Sequence, residues 1–110
     1  MRPRFVWIAI AALLLSGCAR ETPATKAAVS EGDSLFKTHC AVCHGATGDG
    51  SGQVPSHVDF TSRHWQQYRS DADIRSAIRE GVEEAAMPAF PSLSDEQLDA
   101  LVAHLRKLRR

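Results

Sequence analysis

The chain has 110 residues, and its 13 Lys and Arg residues balance 13 Asp and Glu residues. This length allows one small domain with a thin core, and the lack of a basic stripe with interleaved aromatic residues excludes nucleic acid as a sensible partner. The last helix itself explains the cations near the carboxyl terminus, because a helix dipole favours positive charge there.

The first seventeen residues have the pattern of a signal peptide. Arg2 and Arg4 form a positive start, and the apolar run that follows, residues 5–15, is eleven residues long. A membrane span needs about 20 apolar residues, whereas a shorter run suits the core of a signal peptide. Removal of the leader would leave 11 basic and 13 acidic residues, a net charge of −2.

The end of the apolar run, Leu15-Ser16-Gly17-Cys18, resembles the lipobox of bacterial lipoproteins. In that family the cysteine thiol receives a diacylglycerol and the chain is cut just before it, so the resemblance implies lipidation of Cys18. The alternatives are ordinary signal cleavage near Ala19 and an uncleaved anchor. We therefore expect a protein of the cell envelope that faces the periplasm and is bound to a membrane by its lipid.

The segment after Cys18 is predicted to be a flexible tether. Residues 19–29 are polar and show no apolar periodicity, so residues 18–29 would join the lipid to a folded domain at residues 30–110. By resemblance to the sorting rule of Gram-negative lipoproteins, the absence of Asp at position 19 favours the outer membrane in such an envelope.

Three serines predict helix starts, because each precedes an acid or amide by three residues, the pattern of a capping box. They are Ser30, Ser70 and Ser94. The first helix would run from Glu31 into residues 40–44, and the second would end at Gly81. The third carries an amphipathic stripe, and no stretch alternates long enough to form a strand. The predicted fold class is all-α.

The sequence Cys40-Ala41-Val42-Cys43-His44 is the most informative motif. On one helical turn its two thiols and its imidazole project from the same face. The thiols can add across the two vinyl groups of one haem, and the imidazole can ligate its iron. C-x-x-C-H is the attachment signature of c-type haem. A zinc site would need a second pair of ligands, and a thioredoxin-like motif would need a βαβ setting. One covalently bound haem c is therefore predicted.

Met87-Pro88-Ala89-Phe90-Pro91 predicts a loop that offers a sixth ligand to the iron. The two prolines forbid helix, and a thioether is a soft ligand that favours ferrous iron. Without the leader, Met87 is the only methionine of the chain. A gap-filling core role is the alternative for this side chain.

Three histidines are alternative distal ligands: His39, His57 and His64. His39 adjoins Cys40 and would point to the wrong side, while His57 and His64 lie in a polar stretch and are most simply solvated. We therefore expect Met87, with His44, to ligate the iron.

From residue 30 to residue 110 the chain resembles the class I cytochrome c family. The resemblance rests on Gly32 and Phe36, the Cys40–Gly45 motif, a glycine-rich turn, the Met87–Phe90 loop and Leu101. It implies three to four helices wrapped around one haem. It also implies that Gly32 lets the first helix cross the last one closely, with Phe36 and Leu101 packing at the crossing.

The same resemblance implies two further contacts of the haem site and one difference at the helix crossing. The Pro55 carbonyl would accept a hydrogen bond from the ring nitrogen of His44 that does not bind iron. Trp65 or Arg63 would meet a haem propionate. The family usually has an aromatic residue three positions after Leu101, where this chain has His104, so the helix crossing is expected to be weaker or pH-sensitive.

The function expected from this resemblance is one-electron transfer. The protein would take electrons from an upstream donor and pass them to a respiratory oxidase or reductase, without acting as an enzyme or binding a small-molecule substrate. The alternative is a haem-based gas sensor or small haem catalyst in which Met87 is labile.

Overall fold

The computed structural model describes residues 23–53 and 58–110. These residues form five α-helices and a short 3₁₀ turn, and none of them forms a strand; an isolated antiparallel bridge joins Val82 to Met87. The helices are α1 (Pro23–His39), α2 (Ala41–His44), α3 (Arg63–Tyr68), α4 (Asp71–Glu80) and α5 (Asp95–Lys107), and the turn is Glu83–Ala85. The all-α prediction is confirmed. Within the described ranges, no helix has the length and apolarity that crossing a bilayer requires.

The starts of α4 and α5 are the predicted capping boxes. Ser70 accepts a hydrogen bond from the Asp73 amide and Ser94 accepts one from the Gln97 amide, and in each box the reciprocal bond is also present. Helix α4 ends at Gly81, whose φ of 76° lies in the range that favours glycine. Local sequence signals therefore set three of the four ends of these two helices.

The predicted start of α1 is wrong. The helix already includes Pro23, and Ser30 lies inside it, where its side chain is not a cap. Residues 24–28 are Ala, Thr, Lys, Ala and Ala. The alanines and Lys26 have high intrinsic helix propensity, which does not require that the helix have an apolar face. Residues 23–29 are therefore helical instead of a flexible tether. Cys18 and the leader lie outside the described residues.

The core lies where α1 crosses α5. Phe36, Leu98 and Leu101 are essentially inaccessible to solvent, and Gly32 lies against the backbone of Ala100. Helix α4 adds its buried face to this core, with Ile74 and Ile78. The crossing implied by the family resemblance is confirmed, and it fixes the position of the segment that follows α1.

Helix α3 was not predicted. Ser62 caps it by accepting from the Trp65 amide at 3.1 Å, but the helix has only six residues and none of them is fully buried. A segment this short shows no apolar periodicity, so its sequence carries no clear helix signal. It is held from outside by Gln66, whose side-chain nitrogen donates to the Phe60 and Leu105 carbonyls at 2.7 and 2.8 Å.

The glycine-rich segment after α2 is the expected tight turn. Gly45, Gly48 and Gly50 all have positive φ, and Gly48 lies so close to the residue after α5 that a Cβ there would be 2.6 Å from Leu108 Cδ1. The amide of Phe60 donates to the Gly48 carbonyl at 2.9 Å. The turn therefore brings Phe60 back towards α2.

Candidate haem site

Cys40, Cys43 and His44 come from one turn of helix, as predicted. Cys40 is the residue before α2, and its carbonyl accepts from the His44 amide at 2.9 Å, which closes the turn. The side chains of Cys40 and Cys43 are half-buried and are not joined in a disulfide. Because α2 follows directly from α1, the crossing of α1 and α5 holds this turn against the core.

The turn faces a narrow apolar cavity of about 30 Å³. Its walls come from the helix crossing, the cysteine turn, the segment before α3, α4 and the loop after α4. The lining residues are Phe36, Cys40, His44, Phe60, Ile78, Met87, Leu101 and Leu105. His44 and Met87 are distant in sequence, and the fold brings both to this one cavity. These are the two side chains that the sequence predicts as axial ligands.

His44 has the state that an iron ligand needs. Burial lowers the pKa of its imidazole, so the ring is neutral at pH 7 and carries a lone pair. Its Nδ1 atom is buried and has no hydrogen-bond partner among the described residues. Its ring packs against Phe60, with the ring centroids 4.7 Å apart. Pro55, the predicted acceptor for this ring, lies outside the described residues.

The Cys40 thiol is not a ready ligand for a free metal ion. Burial, with a smaller contribution from Cys43, raises the pKa of the Cys40 thiol to about 11, and metal ions bind the thiolate. Across residues 23–53 and 58–110, no three His, Cys, Asp or Glu side chains come together as a metal site. Two thiols and a neutral imidazole on one turn, facing an apolar cavity, fit a covalently attached haem better than zinc.

Met87 is presented by a closed loop. The Val82 amide donates to the Met87 carbonyl and the Met87 amide donates to the Val82 carbonyl, both at 3.0 Å. Ala86 turns the chain with φ of 54° and ψ of 25°, and the Phe90 amide donates to the Ile78 carbonyl at 2.9 Å. Backbone hydrogen bonds on both sides therefore fix the position from which the thioether enters the cavity.

The residues predicted to meet a propionate lie on α3. Arg63 is exposed and Trp65 is half-buried, and neither lines the cavity of His44 and Met87. Trp65 packs on Phe60, with ring centroids 4.7 Å apart, and borders a separate open groove of about 410 Å³. The propionate contacts stay predictions.

Two of the alternative histidine ligands are exposed. His39 lies beside the ring of Phe90 at 5.7 Å, and His64 stacks on Tyr68 at 5.2 Å. Neither lines the cavity. His57 lies outside the described residues.

Arg106 is a residue whose role the sequence did not predict. The pattern explains it as a cation at the end of α5, but its guanidinium donates to Asp71 and to the carbonyls of Gln66 and Arg69. It also lies over the Trp65 ring, 5.9 Å from the centroid. No spacing rule could have found the hydrogen-bond partners, because they are 35 to 40 residues away in the chain.

The comparisons with known proteins agree with this geometry. Residues 27–105 match the family model described as cytochrome c oxidase, cbb3-type, subunit III. The chain is 28% identical over 92 residues to cytochrome c oxidase subunit 2 of Alkalihalophilus pseudofirmus, matching 77% of this chain but only 27% of that protein. A solved structure, the KustC0563 c-type cytochrome, is 33% identical with a TM-score of 0.64, over 72% of this chain and 98% of that one.

The family match spans the crossing of α1 and α5, the cysteine turn and the methionine loop, which are the parts that form the cavity. The likeness to a solved c-type cytochrome covers nearly all of that protein. The chain therefore belongs to the cytochrome c family of the cbb3 oxidase subunit III type, and it has the class I cytochrome c fold.

Proposed function

We propose that this protein is a one-electron carrier whose single haem c is attached through Cys40 and Cys43 and ligated by His44 and Met87. One observation carries the proposal: a neutral imidazole and the thioether of Met87 line the same apolar cavity beside Cys40. When bound, the haem supplies the exchange of one electron between Fe(III) and Fe(II). Membership of the cytochrome c family supports an electron-carrying haem protein.

The chain's own residues would keep the site closed to other ligands. The hydrogen-bonded pair Val82 and Met87 fixes the loop, and the buried rings of Phe36 and Phe60 wall the cavity against water. A closed site holds the same ligands in both oxidation states, which suits electron transfer and opposes binding of gases. This favours the carrier over a gas sensor or a haem catalyst.

We further propose that electrons pass from an upstream donor to a terminal oxidase or reductase in a bacterial envelope. The matching family model and one matching protein are both named as subunits of cytochrome c oxidase, which supports an oxidase as the acceptor. A lipid on Cys18 would keep the domain near a membrane-bound partner and raise its effective concentration. Partners of this class meet through small, weak interfaces, as turnover requires.

The test is ligand access in purified, haem-loaded protein. Oxidised wild type should show the weak far-red band of methionine sulfur bound to Fe(III), and reduced wild type should bind carbon monoxide poorly at neutral pH. Met87→Ala should remove the band, admit carbon monoxide and lower the reduction potential, because the ligand that favours Fe(II) is gone. His64→Ala is the matched control, since His64 is exposed and lies outside the cavity.

Rapid, stoichiometric binding of carbon monoxide by wild type would make the protein a sensor or catalyst instead. An unchanged spectrum and potential in Met87→Ala would show that another residue ligates the iron.

A further inference from the structure

Arg106 joins α5 to the α3–α4 region through hydrogen bonds from all three nitrogens of its guanidinium. Its Nε donates to Asp71 Oδ1 at 2.9 Å, its Nη2 to the Arg69 carbonyl at 2.6 Å, and its Nη1 to the Gln66 carbonyl at 2.8 Å and to Gln66 Oε1 at 3.2 Å. Every nitrogen of the guanidinium therefore has a partner. Exposed ion pairs contribute little by themselves, but bonds of this kind fix geometry.

Gln66 passes this constraint to the wall of the cavity. With its Oε1 facing Arg106, its Nε2 donates to the carbonyls of Phe60 and Leu105. The Phe60 amide is held from the other side by the Gly48 carbonyl at 2.9 Å. Both peptide groups of Phe60 are thus bonded, and the residue has little freedom to move.

Phe60 in turn touches the predicted iron ligand. The centroid of its ring lies 4.7 Å from that of His44 and 4.7 Å from that of Trp65. Trp65 is also the ring over which the guanidinium of Arg106 lies. Phe60 is 8% exposed and lines the cavity together with Leu105. The contacts of Arg106 therefore end on the imidazole of His44, through Gln66 and Phe60.

We propose that Arg106 is a positioning residue that, through Gln66, holds Phe60 against His44 and keeps water from the His44 side of the haem cavity. The inference rests on the proposed function. A dry, fixed wall disfavours the extra positive charge of Fe(III), so these contacts raise the reduction potential. Loss of the contacts lets the wall move and lowers the potential.

The planar guanidinium of Arg106, with donors on three nitrogens, is what this positioning role requires. A guanidinium presents five donors in one plane, whereas the ammonium of lysine presents three donors from a single atom. Lysine at this position keeps the charge but cannot satisfy Asp71, Gln66 and Arg69 together. Arg106→Lys therefore separates positioning from a simple effect of positive charge near the haem.

The experiment compares three variants of the haem-loaded protein: Arg106→Lys, Gln66→Leu and the control Arg79→Lys. Arg79 also ties a helix to α5 and is similarly half-exposed, but the bond it makes, at 2.7 Å, is to Asp95 and not to Gln66. The measurements are the reduction potential, the far-red band and the thermal midpoint of unfolding.

Arg106→Lys and Gln66→Leu should both lower the reduction potential. In both variants the far-red band should persist, because Met87 lies in another loop. The control Arg79→Lys should keep the wild-type potential. In the double variant of Arg106 and Gln66 the potential should fall no further than in Gln66→Leu alone, because both residues act through one path. A wild-type potential in Arg106→Lys would overturn the proposal, and so would an equal fall in Arg79→Lys.

The two proposals fail separately. Absence of the far-red band from wild type would contradict ligation by Met87, whereas the comparison of potentials among the variants would still decide the role of Arg106, which acts on the His44 side.

Discussion

Gly32 of α1 lies directly against the backbone of Ala100 in α5. A Cβ added to Gly32 would be 2.7 Å from the Ala100 carbonyl carbon and 3.0 Å from His104 Cβ, and closer still to the Ala100 carbonyl oxygen. The obstacle is backbone, which a side-chain rotation cannot relieve. Only glycine permits this approach, and the approach is what buries Phe36 and Leu101 and places the cysteine turn.

Gly32→Ala should therefore destabilise the protein, although the same change inside an exposed helix stabilises by up to about 1 kcal/mol. Forcing the helices apart should lower the free energy of unfolding by about 1–3 kcal/mol, the usual range for overpacking. Denaturant unfolding of the haem-loaded protein measures this. Ser34→Ala is the matched control, because Ser34 is exposed on the same helix. A more stable Gly32→Ala variant would show that the helices do not cross this closely.

The sequence predicts a helix end well where a local capping residue determines that end. Ser70, Ser94 and Gly81 act through their immediate neighbours, so both ends of α4 and the start of α5 were predicted close to where they are observed. The same signal gave a wrong helix start at Ser30. The alanine-rich residues before Ser30 are themselves helical, so α1 begins upstream of the capping pattern. Helix α3 was missed because its hold on the fold comes from Gln66 bonding to distant carbonyls.

The candidate site shows the same division. Cys40, Cys43 and His44 form a local motif, and Met87 could be singled out because it is the only methionine left without the leader and is followed by two helix-breaking prolines. Phe60 and Arg106 could not be found this way. Their roles depend on which surfaces meet after folding, and neither residue type is unusual at its position.

His104 occupies a position where its charge matters. It is 8% exposed, its ring lies 5.0 Å from the ring of Phe36, and its Nε2 has no hydrogen-bond partner in the described ranges. Burial lowers the pKa of this imidazole; Asp33 acts against the shift, while Lys37 and Lys107 add to it. The folded state therefore takes up a proton less readily than the unfolded chain.

From this we expect stability to fall as the pH drops below about 6.5, the ordinary pKa of histidine, because the unfolded chain then binds the proton first. His104→Phe should remove this loss of stability at low pH. The thermal midpoint of the variant should therefore exceed that of wild type by more at pH 5 than at pH 7.5. His64→Phe controls for general acid effects, since His64 is exposed. An advantage independent of pH would mean that the two rings differ only in packing.

Cys18 provides a test of the envelope location. Expressed with its own leader in a bacterial host, the protein should partition with membranes, and Cys18→Ser should release it or leave it unprocessed, because the hydroxyl cannot take the lipid. Mass spectrometry of the amino terminus and fractionation measure the two effects, with Ser16→Ala as a variant that keeps the thiol. A soluble mature wild type with a free thiol at Cys18 would contradict the anchor.

Gly81 supports the loop that presents Met87. Its φ is 76°, and a Cβ there would lie 2.7 Å from the Met87 carbonyl oxygen and 2.9 Å from the Ala89 amide nitrogen. The Met87 carbonyl is the acceptor of the Val82 amide, so a side chain at position 81 would disturb the bond that closes the loop. The neighbouring Ala86 has the opposite property, since its φ of 54° is strained for alanine and free for glycine.

Gly81→Ala should therefore weaken the attachment of Met87 to the iron, and Ala86→Gly should not. We expect Gly81→Ala to lose intensity in the far-red band, to bind carbon monoxide faster in the reduced state and to have a lower reduction potential, since each depends on the thioether staying in place. Ala86→Gly, in the same loop, should keep the band and the slow binding. An intact band in Gly81→Ala would show that the thioether holds the loop to the haem, and that the backbone bonds of Val82 and Met87 contribute little to its position.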